Sequence, residues 1–139
     1  MDKEELIRRT QENELIQFLG VKIEVVETER TVLTMEVTPK VHQYIGIMNG
    51  GVSLFLCETA ASIAAVANTD LSKYAPVGIE INANHLRAVS KGKITIEAKP
   101  LYNGLTLTVW NVEITNERGK MICTSRCTVL HKKGAAQIK

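Results

Sequence analysis

The apolar and polar positions of the chain follow two periods, and one long stretch follows neither. Near the start, Leu6, Ile7, Leu15, Ile16 and Leu19 form a loose apolar stripe among Glu, Lys and Arg, which predicts an amphipathic helix over residues 3–18. Gly20 is its expected stop, since glycine accepts the left-handed turn that ends many helices. Residues 21–27 and 31–37 read as short strands joined by a turn at Glu27-Thr28-Glu29-Arg30. The second alternates, with Leu33, Met35 and Val37 on one face and Thr34 and Glu36 on the other. After Pro39 a polar loop runs to Asn49. Four strands are expected beyond Asp70, over residues 76–86, 93–99, 105–115 and 120–130. Asn82 and Asn84 weaken the first by propensity, and residues 93–99 give the cleanest two-residue alternation in the chain. In the third, the apolar face passes from Leu105, Leu107 and Val109 to Trp110, Val112 and Ile114, which predicts a bulge or a strand buried on both faces. Asn116-Glu117-Arg118-Gly119 is the hairpin turn into the fourth, and the polar tail from Lys132 reads as frayed.

The stretch without a period is residues 50–67, opened by Gly50-Gly51 and apolar on every side. A helix of this kind has to be enclosed by other elements. Its length approaches that of a membrane span, but it is rich in Ala, Ser, Thr and Gly and lacks aromatic or basic anchors, so a buried central helix is expected and no membrane partner. The element order, helix, two strands, long helix, four strands, fits one antiparallel sheet of about six strands curled round the central helix: an α+β fold, with residues 1–139 as one domain and its core over about 20–131.

Composition narrows the function. The 139 residues are 45% hydrophobic and 23% charged with a net charge of +2, and the basic residues are scattered, which argues against a nucleic-acid partner. Cys57, Cys123 and Cys127 form an odd set without a framework spacing, so reduced thiols and a cytoplasmic setting are expected. Cys123 and Cys127 share a strand face with no histidine nearby, a poor metal site. The acidic start Met1-Asp2-Lys3-Glu4-Glu5 does not read as a signal peptide.

Between Lys40 and Asp70 the only formal charge is Glu58. Taking a carboxylate out of water costs several kcal/mol, and no Lys or Arg lies three or four residues away to pair with it. Such an isolated carboxylate marks a candidate acid–base residue, the alternative being a Glu on a narrow wet stripe of the helix. The segment His42-Gln43-Tyr44-Ile45-Gly46-Ile47-Met48-Asn49-Gly50-Gly51-Val52, followed by Glu58-Thr59-Ala60-Ala61-Ser62, resembles the signature of the hotdog-fold acyl-CoA thioesterases, nearest to the PaaI-type aryl-CoA group. Gln43, Gly46, Gly50, Gly51 and Glu58 match its spacing, and Ile81-Asn82-Ala83-Asn84-His85-Leu86-Arg87-Ala88 resembles its third strand. The resemblance implies hydrolysis of an aryl- or medium-chain acyl-CoA to the free acid and CoA, with no metal or redox cofactor, in a homodimer and commonly a dimer of dimers, a homotetramer.

The chemistry of the residues is consistent with this. A thioester needs its carbonyl polarised and a base or nucleophile at its carbon. Gly50 opens a helix, where backbone N–H groups are unpaired and the dipole is positive, and Glu58 serves as general base for water or as nucleophile. Eight residues of helix separate them, about 12 Å, whereas one carbonyl needs both within contact. Two antiparallel helices related by a twofold axis meet that need, with Gly50 from one subunit and Glu58 from the other. Asn49 stands where the family commonly has His. Asn can donate to a carbonyl or hold a water but cannot titrate, which disfavours a hotdog hydratase or dehydratase and leaves a non-catalytic acyl-CoA-binding sensor as the alternative. Further candidates are Gln43 for substrate or loop orientation, Ser62 beside Glu58 one turn on, His85 at the acyl pocket, and Arg87, Lys91 and Lys93 for the CoA phosphates.

Overall fold

The expected N-terminal helix forms as two. In the computed structural model, which describes residues 2–134, α1 covers Lys3–Gln11 and α2 covers Glu14–Leu19. The break falls at Asn13, whose side chain accepts from Leu15 N and Ile16 N and so caps a new helix. Gly20 then ends α2 at φ 73°, the conformation its position demanded. Gln11 ties α1 to the segment just past α2: its Nε2 donates to Val21 O and its Oε1 accepts from Ile23 N, both at 2.9 Å.

The six strands are β1 Lys22–Val26, β2 Thr31–Val37, β3 Tyr74–His85, β4 Gly92–Asn103, β5 Leu107–Thr115 and β6 Met121–Lys133, with helix α3 at Gly50–Ala67 between β2 and β3. They pair antiparallel throughout in the order β1-β2-β4-β5-β6-β3, so β1 and β3 are the edges. β6 runs through Lys132 and Lys133 instead of fraying there, because both pair with the start of β3. The tail beyond Gly134 lies outside the described residues.

Helix α3 lies across one face of this sheet and touches every strand. It is long and apolar enough to cross a membrane, yet Leu56, Cys57, Ala60, Ala61 and Ala64 on its inner face are fully buried. They meet Leu33, Met35, Ile94, Ile96, Trp110, Val112 and Ile114 from the strands. Alanines on the helix let it approach the sheet closely, while each buried Leu or Ile contributes about 1.5–3 kcal/mol.

One strand expectation is corrected. β5 keeps one inward face, Thr108, Trp110, Val112 and Ile114, all buried, and Leu105 lies outside the strand and is 79% exposed. The irregularity sits in the neighbouring strand instead, where β4 slips between Pro100 and Tyr102 opposite Trp110 and Val109. Proline donates no ladder hydrogen bond, so a bulge is where a strand tolerates it. In β2, Thr34 belongs by alternation to the outer face and is buried as well, with its hydroxyl donating to the Glu24 carboxylate of β1 at 2.7 Å.

Candidate active site

The loop before α3 is held at several points. Gln43 N donates to Ile47 O at 2.8 Å and Gly46 N to Gln43 O at 3.0 Å, a tight reversal that puts Gly46 at φ 82°. Met48 N donates to Val89 O, and Asn49 N to Val41 O, both at 2.8 Å. Asn49 caps the helix: its Oδ1 accepts from Gly51 N at 2.8 Å, while its carbonyl accepts from Val52 N at 3.0 Å and Ser53 N at 3.4 Å. Among the described residues Gly50 N–H has no acceptor. Of the four donors at the helix start, Gly50 alone is therefore available to a ligand, at the positive end of the helix dipole.

His85, at the end of β3, stands against Gly50. A β-carbon on Gly50 would lie 3.0 Å from His85 Nε2 and 3.1 Å from Cε1, so a side chain there would push the ring aside by a few tenths of an ångström. A cavity of about 380 Å³ opens here, lined among others by Gln43, Gly50, His85, Arg87 and Ile122. Four of the candidates named from the sequence thus meet at one end of α3. Lys91 and Lys93 are exposed and line neither this cavity nor the next.

Glu58 and Ser62 line a different cavity of similar size. Its remaining walls are Phe55, Thr59, Ile63 and Val66 of α3 with Leu6 and Thr10 of α1. Glu58 is exposed in the single chain, on the face of α3 that the sheet does not cover. It makes no hydrogen bond or ion pair with other described residues, in keeping with its lack of helical partners. Gln43, Gly50 and His85 thus belong to one cavity and Glu58 with Ser62 to another, along a helix that rises about 1.5 Å per residue. The apolar lining of the second cavity was partly legible, because Phe55 and Ser62 stand one turn either side of Glu58. Leu6 and Thr10 gave no signal, since they arrive from another helix.

The thiols stand apart from both cavities. Cys57, Cys123 and Cys127 are buried and free. A hydrogen bond with Cys123 and burial push the Cys57 thiol up. Cys127 is raised to about 11, by burial and then by the negative charges of Glu58 and Glu80. All three serve as small core residues, and no cluster of metal-ligating side chains occurs among the described residues.

Comparison with known proteins shows the family. Residues 45–123 match the thioesterase superfamily. The 1,4-dihydroxy-2-naphthoyl-CoA hydrolase of Listeria monocytogenes is 42% identical over 119 residues, 86% of this chain and 96% of that protein. Thioesterase PA1618 of Pseudomonas aeruginosa, solved as a Gln-to-Ala variant, superposes with a TM-score of 0.87 at 32% identity, covering 93% of each chain. SAV0944 of Staphylococcus aureus, called a thioesterase enzyme and solved as separate Gln-to-Ala and Glu-to-Ala variants, gives 0.83 at 33–34% identity over 86% of this chain and 99% of that one. The sheet, the central helix packed on it and these matches establish that the chain belongs to the thioesterase superfamily, as a hotdog-fold thioester hydrolase acting on acyl-CoA.

Proposed function

We propose that the chain hydrolyses an aryl-CoA thioester in a homodimer with two equivalent sites, each assembled from the Gly50 end of one α3 and Glu58 of the other. The observation that carries this is the division of one reaction's parts between two cavities on one helix. The amide that can polarise a carbonyl has no acceptor among the described residues, the carboxylate that can act on its carbon is exposed, and about 12 Å of helix lies between them. A twofold axis running between antiparallel copies of α3 brings the Gly50 of each to the Glu58 of the other.

In this arrangement Gly50 N–H donates to the developing oxyanion from a preorganised position, a role whose loss costs about 3–4 kcal/mol of barrier in other enzymes. Glu58 either removes a proton from the attacking water or attacks the carbonyl carbon itself to form a mixed anhydride that water then opens, and on both routes the C–S bond breaks and CoA leaves as its thiol. Water, carboxylate and amide suffice, so the reaction takes no metal or redox cofactor. The apolar walls Phe55, Ile63 and Val66 receive the acyl group beside Glu58, and Arg87 at the other cavity faces the CoA moiety as a cation for its phosphates. An aryl acid is favoured by the name of the Listeria relative. The altered Gln and Glu of SAV0944 stand 15 positions apart, as Gln43 and Glu58 do, which supports a joint role for the pair.

The test is subunit mixing with a thiol-release assay on an aryl-CoA. Gln43→Ala and Glu58→Ala proteins are each expected to be nearly inactive. Unfolded together and refolded, they should recover about a quarter of wild-type activity, because half the dimers are mixed and each mixed dimer keeps one intact site. Absence of recovery, with mixed dimers demonstrated by differential tags, would place each site within one chain and refute the proposal.

A further inference from the structure

Gly78 faces the Glu58 carboxylate. In β3 it pairs with Val129, and after a bulge at Ile79 the ladder resumes with Glu80 opposite Thr128 and Ile81 opposite Cys127. Val129 and Cys127 are core residues on the face that α3 covers, so Gly78 looks toward the helix while Glu80 looks away. A β-carbon built on Gly78 would lie 2.8 Å from Glu58 Oε1, with Glu58 Cδ at 3.8 Å. Carbon–oxygen contacts that close do not persist, and the carboxylate is the end of a flexible side chain, so it is the Glu58 carboxylate that would move. Gly78 does not adopt a left-handed backbone. Its lack of a side chain serves space and not conformation.

We infer that Gly78 is a positioning residue for hydrolysis: it leaves the floor on which the Glu58 carboxylate rests, and any side chain there lifts the carboxylate from the thioester carbon. The inference rests on the reading of Glu58 as the acting carboxylate. No hydrogen bond from another described residue holds Glu58, so steric contact with β3 is the constraint the chain itself supplies. A misplacement of about 1 Å can cost about 100-fold in rate.

The experiment compares Gly78→Ala in three backgrounds, wild type, Glu58→Asp and Glu58→Ala, by kcat and KM for an aryl-CoA together with thermal melting. In the wild-type background kcat should fall about 100-fold with KM within about twofold and melting nearly unchanged. In the Glu58→Asp background, where the carboxylate is one methylene shorter and clears the new β-carbon, the same substitution should cost less than about threefold. A wild-type kcat for Gly78→Ala, or an equal loss in the Glu58 and Asp backgrounds, would overturn the inference. Should Gly78→Ala fail to fold, recovery of folding in the Glu58→Ala background supports the collision and failure in both refutes it. Full activity of Glu58→Ala alone would instead refute the underlying reading of Glu58.

Discussion

Cys57 and Glu58 are neighbours on one helix and belong to different environments. Cys57 is wholly buried on the sheet with Leu56, Ala60 and Ala64, while Glu58 is exposed beside Phe55, Thr59 and Ser62. The two faces of α3 are similarly apolar in sequence, but one is sealed by six strands and the other is open. A protein does not need an apolar outer face for its own folding. Such a face is retained for something that covers it, and the proposed function assigns it an acyl group and a second copy of the helix.

The contrast predicts a separation of effects, largest first. Glu58→Ala should lower kcat by about 10³-fold while changing stability by less than about 0.5 kcal/mol, measured by thiol release and by denaturant unfolding. A loss of stability comparable to that of a core variant would show that the outer face is structural after all. Leu56→Ala should do the reverse, destabilising by about 3 kcal/mol through the cavity it leaves, with kcat retained in the folded fraction. Asn49→Ala stands between the two faces, since it uncaps α3 at the site: about 1 kcal/mol of stability should be lost, read from the unfolding midpoint. The three thiols offer a kinetic version of the contrast. All are buried, so a thiol reagent should label none in the native protein at pH 8 and three once it unfolds.

The smallest expected effect lies just past the end of α3. Asp70 is held down to about 2 by hydrogen bonds from Ser72 and by Lys73. A carboxyl depressed on folding adds stability above its ordinary value near 3.8, and this is lost as pH falls toward 2. Asp70→Asn should therefore flatten the pH dependence of stability slightly in that window and leave the slope unchanged at neutral pH. Because the group is fully exposed, the effect should also shrink in high salt.

Several elements were legible because a single rule determined them. The strict alternation of residues 93–99 located β4, and Gly50-Gly51 marked the first turn of α3, which ends at Ala67 with Asn68 as its cap. Gln43, Gly50, His85 and Arg87 do meet in one cavity, and Glu58 and Ser62 in another. What escaped depends on partners distant in sequence. A helix apolar all round does not disclose which face the sheet will take, so the sequence left open whether Glu58 lies against the sheet or on a wet stripe. Asn13 carried a capping signal that the continuous apolar stripe across it concealed. Pro100 argued against a long β4 until the bulge beside it supplied the exception. Gly78 has no local signature, because its role is defined by an oxygen atom 20 residues earlier in the chain.

The pairing of β3 also governs when the catalytic centre comes into being. This strand carries both Gly78 and His85, and its one neighbour in the sheet is β6, the last strand, with Tyr74 opposite Lys133. During synthesis α3 emerges early, but β3 has nothing to pair with, and the Gly50 cavity lacks its Ile122 wall, until the ribosome has released residues 121–133. Closing so long a loop is slow relative to local helix formation, and an unpaired apolar edge is exposed meanwhile to other nascent chains. Truncation before β6 is therefore expected to abolish activity by leaving β3 unplaced, although every proposed catalytic side chain would still be present.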